Sequence, residues 1–184
     1  KSLLESLRNK GLTKEDLDIL SGRRSGLNEF SKHLFETSDW TESQWQTFFN
    51  LNAWIFGYGL DYKFLQILQK ESHVSNSDLD GGNSVISDYL LGTNKFTVLV
   101  ELKRPDTPLF ETQKNRSESW KLSKELTYAV SQILSQKAAW EIKGQSQQFN
   151  EDGDPIHQQT IDPKTILIIG NSEQFEGKSK EQQI

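Results

Sequence analysis

The stretch Val98-Leu99-Val100-Glu101-Leu102-Lys103 places an acid and a lysine inside an otherwise apolar run. Val, Leu and Phe are typical of strands, so we predict a strand from Phe96 to Lys103, ended by Pro105 and Pro108. Side chains of a strand alternate between its two faces. One face of this strand carries Phe96, Val98, Val100 and Leu102, and the other carries Thr97, Leu99, Glu101 and Lys103.

A second strand is predicted just before this one, from Val85 to Leu91, with a turn at 92–95. Such a short turn makes the two strands antiparallel neighbours. Pairing about the turn brings Asp88 close to Glu101 and Lys103. A buried carboxylate beside an ammonium requires a partner or a metal ion, so these three residues form the candidate site.

Two carboxylates and a lysine suit a hard divalent cation such as Mg²⁺, which prefers oxygen ligands. The cation polarises a phosphoryl group and lowers the pKa of a bound water. A neighbouring lysine can orient that water and offset the charge that develops on phosphorus. The arrangement therefore predicts metal-assisted hydrolysis of a phosphodiester.

The spacing of the acid and the lysine is not specific by itself. An acid two residues before a lysine also occurs at Asp61/Lys63, Glu141/Lys143, Asp162/Lys164 and Glu176/Lys178. Only Glu101/Lys103 lies in the middle of an apolar strand. The alternative interpretation is a structural ion pair at the surface.

Two further regions extend the predicted organisation. Residues 1–38 are expected to be a small helical N-terminal segment of short helices, broken at Ser21–Gly26, and residues 39–184 form the second domain. The capping box Thr41-Glu42-Ser43-Gln44 opens a helix whose aromatic residues pack in the core. Alternatively, the aromatic helix 41–56 is an interface of an oligomerisation domain.

The remainder of the chain predicts a mixed α/β fold. Phe64–Gln69 is either a strand or a short helix, and Ser75–Asn83 is a loop. A long helix is predicted from Ser117 to Glu141, followed by a flexible excursion over 144–163 and a buried strand, Thr165–Ile169. The predicted apolar side of the long helix comprises Leu122, Leu126, Val130, Ile133 and Leu134.

Composition excludes several classes of protein. The chain has 184 residues, 34% of them hydrophobic, a net charge of −5 and no cysteine. Disulfides, thiolate zinc sites and cysteine nucleophiles are therefore excluded. No apolar run approaches the roughly 20 residues that cross a bilayer, so we expect no membrane partner and a cytoplasmic location. The chain opens with Lys1 and contains no methionine, and we expect a fragment of a longer protein.

Residues about 39 to 170 resemble the Shedu nuclease domain, a branch of the PD-(D/E)XK nuclease superfamily. The resemblance rests on five segments in order: Asn52-Ala53-Trp54-Ile55-Phe56-Gly57, Ser87-Asp88-Tyr89-Leu90-Leu91, Val98 to Pro105, Glu125 to Ile133, and Ile166-Leu167-Ile168-Ile169-Gly170. It implies a restriction-endonuclease-like mixed central β-sheet flanked by helices. It also implies metal-dependent DNA cleavage in bacterial defence against phage or plasmid DNA.

The resemblance also implies roles for single residues. Asp88 and Glu101 would be metal ligands, joined by Leu102 through its backbone carbonyl, with Mg²⁺ as the ion and Mn²⁺ as a substitute. Lys103 would be the catalytic lysine, and Gln132 would match a glutamine on the following helix that contacts the site or DNA. Glu42 would match an acid that some superfamily members carry on the first helix. Ser87 stands where the motif's name has proline.

Charge is distributed unevenly along the chain. Between Lys95 and Lys143 the net charge is +3, whereas residues 39–184 together carry −6. The candidate contacts to the DNA backbone are Arg104, Lys114, Arg116, Lys121 and Lys124. The alternative for each of them is a solvated surface. For the whole chain, the alternative function is a catalytically inactive nuclease-fold module that binds DNA or a protein partner. We also expect a homo-oligomer.

Overall fold

The structure is a computed structural model that describes residues 11–37, 40–57, 66–73, 86–92, 96–150 and 152–175. Contacts within the chain divide it into two compact units, 1–40 and 41–184. The first unit is helical, and the second is a mixed α/β unit that contains the candidate site.

Over residues 11–37, the first unit forms a continuous helix, α1 (Lys14–Ser31), followed by a π-helical turn, Lys32–Thr37. The Thr13 hydroxyl accepts a hydrogen bond from the Asp16 amide and caps the helix. The predicted break at Ser21–Gly26 is wrong, because α1 runs straight through it. A glycine in a helix costs only about 1 kcal/mol, and no proline is present to end the helix there.

The second unit begins with α2 (Glu42–Leu51), which starts at the predicted capping box of Thr41 and Gln44. A short 3₁₀ helix, Ala53–Gly57, follows. Four of the five aromatic residues of this segment are buried, and the fifth, Trp54, is half-buried. Phe56 stacks on Phe49 at a ring-centroid distance of 5.0 Å. The predicted core packing is confirmed. The alternative role of helix 41–56 as an interface of an oligomerisation domain stays a prediction.

Four strands of the described part of the chain form the main sheet: β1 (Gln66–His73), β2 (Ile86–Gly92), β3 (Phe96–Leu102) and β8 (Gln159–Ile168). Their order in the sheet is β1-β2-β3-β8. The first three strands are antiparallel, and β8 is parallel to β3. The segment Phe64–Gln69, predicted to be either a strand or a short helix, is thus a strand from Gln66 onwards. The predicted loop Ser75–Asn83 and the turn residues 93–95 lie outside the described residues.

The final strand differs from its prediction in two ways. It begins at Gln159, six residues before the predicted start, and residues 166–169 are only half-buried. The predicted excursion before it contains a hairpin, β6 (Gln148–Phe149) with β7 (Pro155–Ile156). Ile156 packs into a core cluster, so burial of its side chain anchors the hairpin in a segment of otherwise polar composition.

The long helix also starts later than predicted. It is α3 (Lys124–Lys143), capped by Ser123, whose hydroxyl accepts from the Leu126 amide at 2.9 Å. Residues 120–122 instead form β5 (Trp120–Leu122), paired with β4 (Phe110–Lys114). The buried face of α3 differs too, because Val130 and Leu134 are exposed. The buried residues are Leu126, Ala129, Ile133, Gln136 and Trp140.

Helices cover both faces of the sheet. On one face, Trp140 of α3 packs against Leu90 and Leu99 and donates to the Thr97 hydroxyl at 3.0 Å. On the other face, the Tyr89 hydroxyl donates to the main-chain oxygen of Gln46 in α2 at 2.7 Å. The sheet is thus held between α2 and α3. No helix in the described part of the chain is both long and apolar enough to span a membrane.

Candidate active site

The site lies where β2 and β3 stop pairing. Their register runs from Gly92 opposite Thr97 to Tyr89 opposite Val100, which puts Asp88 level with Glu101. Beyond that point the Leu102 amide donates to Asp88 Oδ2 at 2.6 Å instead of to a backbone carbonyl. A side chain therefore replaces the next rung of the ladder, and it fixes the Asp88 carboxylate beside β3.

Glu101 is almost fully buried, with 2% of its surface exposed, and it is surrounded by donors. Its Oε1 accepts from Lys103 Nζ and from Gln132 Nε2, each at 2.6 Å. Its Oε2 accepts from Gln136 Nε2, also at 2.6 Å. One ammonium and two amides thus compensate the cost of burying this carboxylate.

Asp88 is half-buried and less well compensated. Its Oδ1 accepts from Gln46 Nε2 at 2.8 Å. Burial raises the pKa of Asp88 to about 6, and the charges of Glu101 and Glu42 add to the rise. The hydrogen bond from the Leu102 amide and the charge of Lys103 act in the opposite direction without cancelling it. The site therefore carries more negative charge than its protein partners neutralise.

Lys103 lies between the carboxylates. Its Nζ is 2.6 Å from Glu101 Oε1 and 3.8 Å from a carboxylate oxygen of Glu42. Burial by itself would lower the pKa of Lys103, but the hydrogen bond and charge of Glu101, with the charges of Glu42 and Asp88, outweigh burial and raise it. The amine is therefore a stable cation at neutral pH and a hydrogen-bond donor rather than a base.

The donor set suits a hard cation but is small. Asp88 and Glu101 offer carboxylate oxygens, and Leu102, whose side chain is buried, offers its backbone carbonyl. Each Asp88 oxygen and Glu101 Oε2 accepts one described hydrogen bond, so each retains a lone pair. Across the described ranges, no group of three or more His, Cys, Asp or Glu residues is arranged to hold a metal ion.

Two glutamines of the site, Gln46 and Gln136, are absent from the sequence-based prediction. Each lies four residues after another site residue on the same helix, Gln46 after Glu42 and Gln136 after Gln132. Residues at this spacing share one helical face. The i, i+4 spacing on α2 and α3 could therefore have pointed to these glutamines. Only the structure shows that the α2 pair faces Asp88 and the α3 pair faces Glu101.

The predicted DNA contacts lie apart from this cluster. Arg104 forms two hydrogen bonds with Asp106, at 2.9 and 2.6 Å. Lys114 lies 3.7 Å from Glu118 and 5.4 Å from the centre of the Trp120 ring. The other three, Arg116, Lys121 and Lys124, are exposed. Among the described contacts, none joins these five residues to Asp88 or Glu101.

An open pocket of about 550 Å³ lies elsewhere on the second unit. Its lining includes Trp120 and three acids, Asp106, Glu111 and Glu173. Three carboxylates repel phosphate groups, so this pocket does not suit a nucleic acid backbone.

Comparison with known proteins gives two matches. The family model described as "Shedu protein SduA, C-terminal" matches residues 39–184. The chain is also 27% identical over 172 residues to the Shedu protein SduA of Bacillus cereus (strain B4264). This match covers 89% of the chain and 45% of the relative, so the chain spans about half the length of the curated protein it matches.

Proposed function

The chain belongs to the family of the Shedu protein SduA C-terminal domain, and from this premise we propose that it is a metal-dependent DNA endonuclease acting in bacterial defence against phage or plasmid DNA. The observation that carries the proposal is the convergence of Asp88, Glu101 and Lys103 at one end of a strand pair. Two carboxylates that can hold a metal ion and a protonated lysine suit metal-assisted phosphodiester hydrolysis.

We propose the PD-(D/E)XK arrangement for the second unit. Its main elements follow the order helix, three antiparallel strands, helix and one parallel strand. Helices on both faces of a mixed sheet support this assignment. The candidate residues lie on the second and third strands, and the helix after them supplies Gln132.

The residues fit a divalent metal ion, Mg²⁺ or Mn²⁺ in its place. Asp88, Glu101 and the Leu102 carbonyl would hold it, because they supply oxygen ligands. Burial, together with the charges of Glu101 and Glu42, raises the pKa of Asp88, and a nearby cation would offset both effects, which supports this fit. When bound, the ion polarises the phosphate and lowers the pKa of a coordinated water.

The chain's own residues position the other reactants. Lys103 is protonated, so it donates to the attacking water or to a phosphate oxygen and offsets the developing negative charge. Gln132 shares Glu101 Oε1 with Lys103. The lysine can therefore turn to the substrate while the amide keeps the carboxylate in place.

Cleavage of supercoiled plasmid DNA by the purified chain tests the proposal. We expect nicked or linear product with Mg²⁺ and none with EDTA. Lys103→Ala should lower the rate at least about 100-fold, because a donor to the transition state is lost. Lys137→Ala is the matched control, since Lys137 forms an ion pair with Asp162 and lies outside the cluster. Equal rates for Lys103→Ala and wild type would refute the assignment.

A second candidate is a non-catalytic module that binds DNA or a protein partner. The small donor set favours it, as does the direct pairing of Lys103 with Glu101. Calorimetry with Mn²⁺ discriminates between the two candidates. Binding that disappears in Asp88→Asn supports the nuclease, whereas a chain that binds DNA but takes up no Mn²⁺ supports the module.

A further inference from the structure

The β4–β5 ribbon comprises residues 110–122. It begins seven residues after Lys103 and ends just before α3. Its tip is built rigidly. The Asn115 side-chain oxygen accepts from the amides of Ser117 and Ser119 at 2.9 and 3.0 Å, and the Asn115 amide donates to the Ser119 carbonyl. Such a preformed tip loses little conformational entropy when it binds a partner.

The base of the ribbon is anchored in the second unit. Leu109 and Phe110 are buried with Leu126 in one core cluster. Ser123 directly follows the second strand of the ribbon. Its amide donates to the Leu109 carbonyl at 3.0 Å, and its hydroxyl donates to the Pro108 carbonyl at 2.6 Å. The base is thus fixed, whereas residues 112–114 and 116–118 are exposed.

The ribbon carries three cations and two acids. Glu111 lies near the base and lines the acidic pocket, and Lys121 also lies near the base, next to the Phe110–Leu122 pair. Lys114 and Arg116 lie farther out, and the three cations point in different directions. Lys114 stacks over Trp120 on one face, and Lys121 follows Trp120 in β5, so it projects from the opposite face. Arg116 is exposed at the tip.

This arrangement distinguishes between two ways of contacting DNA. A surface that lies flat on one phosphate row needs its cations on one face. Cations on both faces and at the tip suit an element that lies between two phosphate rows. The major groove of B-form DNA is wide enough to admit a two-stranded ribbon.

From this geometry we propose that the β4–β5 ribbon enters a groove of duplex DNA and contacts the phosphates of both strands through Lys114, Arg116 and Lys121. The inference rests on the proposed function and names its substrate as a duplex. Glu118 opposes binding, but its contact with Lys114 is long and Glu118 is 85% exposed, so the pair separates at little cost.

Fluorescence anisotropy with a labelled duplex tests the ribbon, in an Asp88→Asn background that prevents cleavage. The triple variant Lys114→Ala, Arg116→Ala, Lys121→Ala should bind at least about 10-fold more weakly at physiological salt. The dependence of log affinity on log salt should become shallower by about 2 to 3, close to one unit for each lost phosphate contact. Lys137→Ala should retain both values, and Glu118→Gln should bind more tightly.

Three outcomes separate this inference from the proposed function. If the parent protein binds DNA and the triple variant keeps its affinity and salt dependence, the ribbon inference is wrong. Binding of single strands as tightly as duplexes also overturns it, because a single strand has no groove. If the protein with Asp88 intact cleaves plasmid DNA in either case, the proposed function stands.

Discussion

The two carboxylates of the site are adjacent, but they receive different hydrogen-bond donors from the helices on the two sides of the sheet. Glu101 receives three side-chain donors, of which α3 supplies two and Lys103 the third. Asp88 receives one amide from α2 and one backbone N–H. The buried acid therefore has its countercharge built in, whereas the half-buried acid lies in an excess of negative charge.

The difference indicates which carboxylate is less well compensated by its neighbours. Burial and like charges raise the pKa of Asp88 to about 6, so the folded protein spends free energy to keep it ionised at neutral pH. The negative charge of Glu101 is compensated directly, because the Lys103 ammonium lies 2.6 Å away. Removal of one negative charge should consequently have opposite effects on stability at the two positions.

Glu101→Gln should give the largest effect on stability. The change removes the countercharge of Lys103 and places an amide where two glutamine amides donate. Breaking a buried ion pair from one side costs roughly 3 kcal/mol of unfolding free energy. Urea unfolding of the metal-free protein at pH 7.5 measures the loss. Glu118→Gln, at an exposed acid, should change stability by less than about 0.5 kcal/mol. An equal effect of the two changes would contradict the argument.

Gln136→Met should give the next largest loss of unfolding free energy. Gln136 is fully buried and donates to Glu101 Oε2, so its loss leaves that oxygen without its described donor. A hydrogen bond to a buried charged group is worth about 2 kcal/mol. Gln132→Met should cost less than half as much, since Gln132 is exposed and Lys103 still serves the same oxygen. The same urea measurements test both variants, and an inverted order would show that burial does not decide the cost.

Asp88→Asn should stabilise the metal-free protein. Asparagine keeps an acceptor for the Leu102 amide and removes the charge that Glu101 and Glu42 repel. A pKa raised from 3.8 to about 6 corresponds to at most about 3 kcal/mol, and solvent screening of a half-buried group lowers the expected gain to about 1–2 kcal/mol. Asp162→Asn is the control of opposite sign. Hydrogen bonds from Lys137 and Lys164 lower the pKa of Asp162 to about 2, so that variant should lose stability at pH 7.

The gain at Asp88 should depend on pH in a defined direction. Between about pH 4 and 6 the folded state binds more protons at Asp88 than the unfolded state does, so its contribution to stability falls as pH rises. The difference between wild type and Asp88→Asn should be small at pH 4 and reach its maximum above pH 7. Urea titrations in EDTA at several pH values measure it. A difference that grows towards acid pH would contradict the raised pKa.

The strand pair at the centre of the site could be predicted from the sequence. Apolar alternation and a short turn leave one register that keeps Leu90 and Leu99 on the same face, and this register places Asp88 beside Glu101. The two glutamine pairs could not be assigned in the same way. A glutamine on a helix is ordinarily a solvent-exposed residue, and only the burial of Trp140 on the same side of α3 shows that Gln136 faces inward.

The ribbon escaped prediction for a different reason. Residues 117–123 are predicted to be helical, but Trp120 pairs with Lys114 across the ribbon and the helix begins only after its cap, Ser123. Leu109 and Phe110, at the base of the ribbon, are buried in a core cluster. Short strands of this kind depend on contacts from distant parts of the chain, which local propensity does not contain.

Gln46→Met should give the smallest effect, and a double-mutant cycle makes it interpretable. Methionine has a similar helix propensity, so the change isolates the hydrogen bond of Gln46 to Asp88 at 2.8 Å. We expect a coupling energy with Asp88→Asn of about 0.5–1 kcal/mol at pH 8. Because Asp88 is protonated below about pH 6, the coupling should shrink at pH 5. A coupling that stays constant over this range would mean that α2 holds Asp88 by shape rather than by charge, and the contrast with Glu101 would then lose its electrostatic basis.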